Sequence, residues 1–245
     1  MEISKIISLA ERVQRDLKRI RTKVSGSVMF VDLVGSTEYK ATHPAEEDWL
    51  PRLATFLLSV TNIVQEHGRV VKYIGDEVMA FFEGPAPALH AAQAAERVLQ
   101  FCKEFKQVSF RAKIALDYGS VSMLDFSAIR GSKKGAKIGR RDPNGLTVDR
   151  CARIMSKAVP DTILCSETFR AASNDKRRWR YVGAFRPKGI PNRVKVYQLT
   201  SDRAPQVEVR DEKMTLPECI KRLTVVEHQL DETKALRRPV ARRPR

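Results

Sequence analysis

Two aspartates interrupt segments of the chain that are otherwise apolar. Asp32 lies in the run M-F-V-D-L-V-G-S-T, and Asp76 lies in V-V-K-Y-I-G-D-E-V-M-A-F-F. A buried carboxylate without a partner is energetically costly or takes up a proton, and two on neighbouring strands repel each other. Hard cations such as Mg²⁺ and Mn²⁺ relieve this repulsion because they bind through carboxylate and phosphate oxygens. The pair therefore predicts a divalent-metal site.

The residues beside these acids favour phosphate chemistry. Two metal ions about 3.5–4 Å apart can activate an attacking hydroxyl and neutralise a leaving phosphate. Gly35, Ser36 and Thr37 follow Asp32 near the start of a predicted helix, where backbone N–H groups suit a phosphate group. The alternative is purely structural, with Asp32 as a strand-end cap and Asp76 as a turn residue.

Four short motifs occur in one order along the chain, and together they resemble the class III adenylate and guanylate cyclases. In that family they read F-x-D-(aliphatic)-x-G-(S/F)-T, K-x-x-G-D, G-x-x-V-N-x-A-x-R and K-G-(I/L/V)-P followed by a V-Y pair. The matching segments are residues 30–37, 72–76, 145–153 and 188–191, with Val196 and Tyr197 after the last. The resemblance extends over residues 25–199.

The resemblance implies roles for the residues around the phosphates. Asp32 and Asp76 would hold two divalent cations, Mg²⁺ or Mn²⁺, helped by the backbone carbonyl of Leu33. Arg153 would be catalytic and stabilise the charge that develops on the α-phosphate, which is a large effect in phosphoryl chemistry. Lys188 would bind the triphosphate.

The resemblance also implies which residues recognise the nucleoside. Lys72 and Asp142 match the pair that reads the base. Asp149 stands where the family has the asparagine that orients the ribose. An acid at that position repels a triphosphate unless a metal ion or an arginine compensates, and Arg150 is the neighbouring candidate for that role.

In the family, each active site takes its metal ligands from one subunit and its base and transition-state residues from the other. A single copy of each motif therefore implies a homodimer with two shared sites, and a lone subunit should be inactive.

The motifs leave the identity of the base open. A lysine donor beside an aspartate acceptor can pair with adenine, cytosine or uracil, and Tyr73 after the lysine is large unless strand alternation points it away from the base. At a finer level the chain resembles the stand-alone cyclases of bacterial Pycsar antiphage systems. That likeness implies a UTP substrate, a cyclic UMP product and a separate effector that reads it. ATP, giving cyclic AMP, is the alternative.

The order of predicted elements is βαββαβ followed by further helices and strands. This order predicts an α+β fold with a ferredoxin-like core, an antiparallel sheet and the class III cyclase catalytic architecture. We expect three parts: an amphipathic helix within residues 1–24, a catalytic domain over residues 25–200, and a helical extension with a disordered basic tail over residues 201–245.

The net charge of +16 is concentrated in residues 130–141 and 237–245. Aromatic residues are absent from both stretches, so the stacking platforms of single-strand binders are missing and nucleic-acid binding is not favoured. No apolar run has the length of a membrane span, and the first residues lack a secretory signal. We expect a cytoplasmic protein. The wide spacing and apolar neighbours of the cysteines predict buried free thiols at Cys102, Cys151, Cys165 and Cys219.

Three other functions are compatible with parts of the sequence. A diguanylate cyclase is the nearest enzyme alternative because Y-I-G-D-E-V resembles a G-G-D-E-F hairpin, but the doubled glycine is missing. A catalytically dead nucleotide- or nucleic-acid-binding module is favoured only by Asp149. A Ser-His-Asp hydrolase is poorly supported because no G-x-S-x-G motif is present.

Overall fold

The computed structural model describes residues 2–124, 141–200 and 204–211. Described residues up to 210 belong to one compact unit. The predicted basic stretch, apart from Arg141, lies outside the described residues. So do most of the predicted C-terminal extension and Cys219.

Eight strands and six helices make up the described chain. In chain order they are α1 (Ile3–Ile20), β1 (Arg21–Leu33), α2 (Ser36–Thr42), α3 (Glu46–Gln65), β2 (Arg69–Ile74), β3 (Glu77–Phe82), α4 (Pro87–Glu104), β4 (Ala112–Leu124), β5 (Asp142–Asn144), α5 (Leu146–Met155), β6 (Thr162–Ser166), α6 (Glu167–Ala172), β7 (Trp179–Phe185) and β8 (Val194–Leu199). A 3-10 turn, Lys176–Arg178, precedes β7.

The strands form one open sheet in the order β2-β3-β1-β4-β6-β8-β7, and β5 pairs with β4. Neighbouring strands are antiparallel except β4 and β6, which are parallel. A parallel pair needs a crossover connection, and α5 supplies it. The predicted α+β fold with a βαββαβ core is confirmed, with this one parallel pair added to the antiparallel sheet.

The two faces of the sheet carry separate apolar clusters. Met29 and Val31 pack on the face covered by α3 and α4, whereas Val28 and Phe30 pack on the face covered by α5. Successive side chains of a strand point to opposite faces, so Asp32 belongs to the face of Val28 and Phe30. This is the face on which the candidate site is built.

The first helix is shorter than predicted and the first strand is longer. The periodicity of apolar residues predicts a helix over residues 3–23, but α1 ends at Ile20 and β1 begins at Arg21. Pairing with β4 extends without a break from Arg21 opposite Leu124 to Leu33 opposite Ala112. The hydrogen bonds of this long ladder override the local helical pattern.

Three of the four cysteines lie within the described residues. Cys102, Cys151 and Cys165 are buried and free, as predicted, and burial raises the pKa of the Cys102 thiol to about 12. Within the described residues, no helix combines the length and the apolar character that crossing a bilayer demands.

Candidate active site

The two predicted metal ligands lie at the same edge of the sheet. Asp32 is the penultimate residue of β1, and its cross-strand neighbours are Glu77 on β3 and Lys113 on β4. Asp76 lies in the turn between β2 and β3, directly before Glu77. Gly75 makes that turn with a φ of +65°, in the left-handed region that favours glycine. The β1–β3 register therefore brings the acids at positions 32 and 76 together.

Lys113 supplies the positive charge beside Asp32. Its Nζ atom lies 2.6 Å from Asp32 Oδ2, and the side chains are 29% and 19% exposed respectively. Within the described part of the chain this lysine is the one ion-pair partner of Asp32. Sequence reasoning missed Lys113 because its relation to Asp32 depends on the register of β1 against β4.

Glu77 is a third acid at this edge that sequence reasoning did not single out. Burial, and after it the neighbouring Asp32 carboxylate, raises the pKa of Glu77 to about 7; Asp76 adds to the effect and the Lys113 ammonium opposes it. The signal was present in the doublet Asp76-Glu77, which places a second acid on the strand that follows the turn.

The donors at this edge fit a divalent cation. Among the described residues, no three histidine, cysteine, aspartate or glutamate side chains converge as a complete metal-ligand set. Two carboxylates and the nearby backbone at Leu33 suit a cation such as Mg²⁺, which usually keeps several waters and takes further ligands from substrate phosphates. Asp32 and Asp76 both add to the negative charge felt by Glu77 at this edge, and Lys113 opposes it.

The predicted phosphate-binding residues follow β1. Gly35 adopts a φ of +73° at the start of α2, so a residue with a side chain would be strained there. Ser36 is buried, and its Oγ atom has no hydrogen-bond partner within the described chain. Thr37 is exposed. A buried hydroxyl without a partner is costly, and a phosphate oxygen would satisfy it.

The predicted base-reading pair is brought into direct contact. Lys72 Nζ on β2 lies 2.7 Å from Asp142 Oδ2 on β5. The other oxygen, Asp142 Oδ1, is buried and accepts no hydrogen bond from the described residues. The pair therefore places a lysine donor beside a buried aspartate oxygen that has no hydrogen-bond partner among the described residues.

Tyr73 points away from this pair. Its hydroxyl lies 2.7 Å from Thr61 Oγ1 on α3, and α3 packs on the opposite face of the sheet from α5. Strand alternation thus separates Tyr73 from Lys72, which removes the steric objection raised by a large residue after the lysine.

Helix α5 carries two further predicted site residues. Its first residue follows Gly145, which has a φ of +129°. Glycine adopts this backbone conformation readily, whereas other residues would be strained in it. Asp149 and Arg153 are both exposed and lie about one helical turn apart. Within the described residues Arg153 forms no ion pair with Asp32 or Asp76 of the same chain.

The expectation that Arg150 compensates the charge of Asp149 is wrong. The Arg150 guanidinium donates from Nε to Asp117 Oδ2 at 2.6 Å and from a terminal nitrogen to Asp117 Oδ1 at 2.9 Å. Consecutive residues of a helix point about 100° apart, so Arg150 turns toward the sheet while Asp149 faces solvent.

Asp117 is a second acid on the sheet face of Asp32, and sequence reasoning missed it. It is fully buried on β4. Besides Arg150, it accepts hydrogen bonds from the Tyr118 backbone N–H and from the hydroxyls of Ser166 and Thr168. This network ties α5 to β4 and to the start of α6. The sequence feature that could have revealed Asp117 is an acid inside the apolar strand I-A-L-D-Y-G.

The remaining predicted residue, Lys188, lies in the connection between β7 and β8 and is exposed. Asp32 and Asp142 meet opposite ends of β4. Asp32 pairs with Lys113 near its start, and Asp142 pairs with Leu124 at its end. The fold of one chain thus brings together Asp32 with Asp76 and Lys72 with Asp142, and it joins neither pair to Arg153 or Lys188.

Known proteins share both the sequence pattern and the fold. Uncharacterised proteins of Mycobacterium tuberculosis and Mycobacterium bovis are each 29% identical over 174 residues, covering 66% of this chain and 30% of theirs. The chain thus spans under a third of the length of these relatives.

Solved structures of cyclases superpose on most of the chain. The adenylyl cyclase CyaB from P. aeruginosa matches with a TM-score of 0.62 at 21% identity, over 75% of this chain and 97% of that one. The guanylate cyclase domain of RhGC from Catenaria anguillulae, solved with GTP, matches with a TM-score of 0.61 at 20% identity, over 74% and 98%. A dimeric guanylyl cyclase domain from Blastocladiella emersonii matches with a TM-score of 0.56 at 19% identity, over 74% and 96%.

The family model described as the adenylate and guanylate cyclase catalytic domain matches residues 20–201, from the end of α1 to just beyond β8. The match spans both the metal-ligand edge and the base-reading pair. The chain belongs to the adenylate and guanylate cyclase family and carries a nucleotidyl cyclase catalytic domain.

Proposed function

We propose that the chain converts a pyrimidine nucleoside triphosphate, UTP first, into the 3′,5′-cyclic monophosphate and pyrophosphate, as a second-messenger signal in antiphage defence. The observation that carries the recognition step is the contact of Lys72 with Asp142, whose buried Oδ1 atom has no hydrogen-bond partner among the described residues. Uracil offers O4 to the lysine and N3–H to that oxygen. The preference for a pyrimidine is supported by the resemblance to the Pycsar cyclases.

In this proposal the acids at the sheet edge are the metal ligands. The carboxylates of Asp32 and Asp76 and the carbonyl of Leu33 hold two divalent cations, Mg²⁺ or Mn²⁺. When bound, these ions acidify the 3′-hydroxyl and neutralise the departing pyrophosphate. The negative charge that Asp32 and Asp76 add around Glu77 supports this assignment.

Other residues of the chain bind and orient the substrate. Gly35, Ser36 and Thr37 contact phosphate oxygens, and the unpartnered Ser36 hydroxyl is the atom that gains most from this. Lys188 binds the triphosphate. During cyclisation the 3′-oxygen bonds to the α-phosphorus and the bond to pyrophosphate breaks. Arg153 stabilises the charge that develops on the α-phosphate. Asp149 orients the ribose.

We place these residues in two shared sites of a homodimer. Among the described residues, Arg153 and Lys188 form no ion pair with Asp32 or Asp76 of their own chain, and Asp32 and Asp142 meet opposite ends of β4. A second copy of the chain completes each site if its Arg153 and its base-reading pair meet the first chain's acids. A separate effector would read the product.

Adenylate cyclase is the second candidate, because adenine presents N1 to a lysine and its 6-amino group to an aspartate oxygen. The same contact between Lys72 and Asp142 serves that base. The size of the pocket around the base decides between adenine and a pyrimidine.

The test offers the purified protein each of the four ribonucleoside triphosphates with Mn²⁺ or Mg²⁺ and identifies products by mass spectrometry. We expect cyclic UMP as the main product. Cyclic AMP as the main product would establish the second candidate, and a dinucleotide from GTP would establish a diguanylate cyclase. Absence of any cyclic product from a folded, metal-loaded protein would overturn both cyclase proposals.

A further inference from the structure

We infer that Lys113 is a built-in competitor of the metal ion: its ammonium group pairs with the Asp32 carboxylate and has to release that carboxylate when a divalent cation binds. The inference rests on the proposed metal site and adds to it a residue that sets the affinity of that site.

The geometry of three neighbouring strands carries the argument. Glu77, Asp32 and Lys113 stand directly opposite one another on β3, β1 and β4, so their side chains share one face of the sheet. Side chains paired in this way have Cβ atoms about 4.5–5.5 Å apart. One lysine therefore stands at the end of a row with two acids, and it contacts the nearer acid, Asp32, at 2.6 Å.

The environment of this ion pair makes it stronger than an ordinary surface pair. The side chains of Lys113 and Asp32 are 29% and 19% exposed, whereas those of Lys195 and Glu167, which form a pair at 2.8 Å, are both 53% exposed. Water and salt screen a partly buried pair less than an exposed one. Losing Lys113 would also remove the ion-pair partner that Asp32 has among the described residues and leave Asp32 beside Glu77.

The same proximity prevents Lys113 from staying in place when a metal ion arrives. An ammonium group and a divalent cation on one carboxylate repel each other at short range. Lys113 has a flexible four-carbon stem and is partly exposed, so it can turn toward water. Metal binding thus has to break an existing ion pair, and the affinity for the metal alone is lowered by that requirement.

The experiment measures Mn²⁺ binding by electron paramagnetic resonance without nucleotide, together with the melting temperature in EDTA. Lys113→Met should bind Mn²⁺ about tenfold more tightly than the wild type, a typical size for coupling between two binding events. Its melting temperature in EDTA should be lower and should recover more on adding Mn²⁺. Lys195→Met is the matched control and should change neither quantity.

Lys113→Arg provides a second variant that keeps the charge and therefore the competition. It should bind Mn²⁺ no more tightly than the wild type, because a guanidinium group pairs well with a carboxylate. Tighter binding by this variant, or unchanged or weaker binding by folded Lys113→Met, would overturn the inference.

Asp32→Ala separates this inference from the proposed function. If Asp32→Ala loses Mn²⁺ binding while Lys113→Met binds as the wild type does, the metal site stands and the role of Lys113 falls. If Asp32→Ala retains wild-type Mn²⁺ affinity, the metal assignment itself falls and the competition falls with it.

Discussion

Two aspartates on the same face of the sheet have opposite surroundings. Asp117 is fully buried, and it accepts hydrogen bonds from the guanidinium of Arg150, two hydroxyls and a backbone N–H. Asp32 is partly exposed and has a single lysine partner, Lys113, among the described residues, with two further acids nearby. The first acid is saturated by its own chain, whereas the second retains oxygens that a ligand can use.

The difference separates an acid that maintains structure from one that is available for chemistry. Removing one partner of a buried, saturated ion pair leaves an uncompensated charge and destabilises the fold. Removing Asp32 loses its ion pair with Lys113 but also relieves repulsion from the neighbouring acids, so the two effects oppose each other and the fold tolerates the loss. Loss of Asp32 should therefore affect activity, and loss of Asp117 should affect stability.

The largest effect is expected on activity at Asp32. Asp32→Ala should lower the cyclase rate by about 1,000-fold or more, the scale found when an electrostatic contact to a transition state is lost. The urea midpoint should change little because the lost ion pair and the relieved repulsion oppose each other. Steady-state rates and urea unfolding check the two parts. The exposed acid Asp48 on α3 offers a control, since Asp48→Ala should leave both quantities unchanged.

The next largest effect is expected on stability at Asp117. Asp117→Asn should lower the free energy of unfolding by about 3 kcal/mol, because Arg150 loses its buried partner. Asp161→Asn is the matched control: its pair with Arg111 is exposed, at 2.7 Å, and such pairs contribute about 0–1 kcal/mol. Equal losses in the two variants would contradict the distinction between saturated and available acids.

A smaller effect is expected on base selectivity at Lys72. Lys72→Met should lower kcat/KM for the preferred nucleotide by about 10–100-fold, since a hydrogen bond to a charged group contributes about 1.5–3 kcal/mol. The other nucleotides should lose less, so the ratio between bases should collapse. Tyr73→Phe serves as the control. Its hydroxyl contacts Thr61, so the ratio should stay within about twofold of the wild type; a larger change would place Tyr73 in the base pocket.

The sequence predicted what local pattern and motif spacing determine. A dense apolar run interrupted by one acid placed Asp32 at a strand end, and the glycine before Asp76 marked a tight turn, so their approach followed from pairing those strands. The contact of Lys72 with Asp142 was predicted only through the resemblance, because the two residues are far apart in the chain.

The parts that were missed depend on register and on distant pairing. Lys113 and Glu77 become neighbours of Asp32 only when β1 pairs with β4 and β3 in one specific register. Arg150 was assigned to Asp149 because adjacency in sequence was taken for adjacency in space. Its actual partner, Asp117, lies on another element, and a single sequence does not reveal such a pairing.

The central claim is that the acids of one chain act together with Arg153 of a second chain. Asp32→Ala and Arg153→Ala are each expected to be inactive alone. Mixed in equal amounts and allowed to exchange subunits, they form heterodimers in which one shared site has lost both residues and the other is intact, so product formation should return to about a quarter of the wild-type rate if subunits pair at random. Verified heterodimers that form no cyclic nucleotide would contradict the shared site.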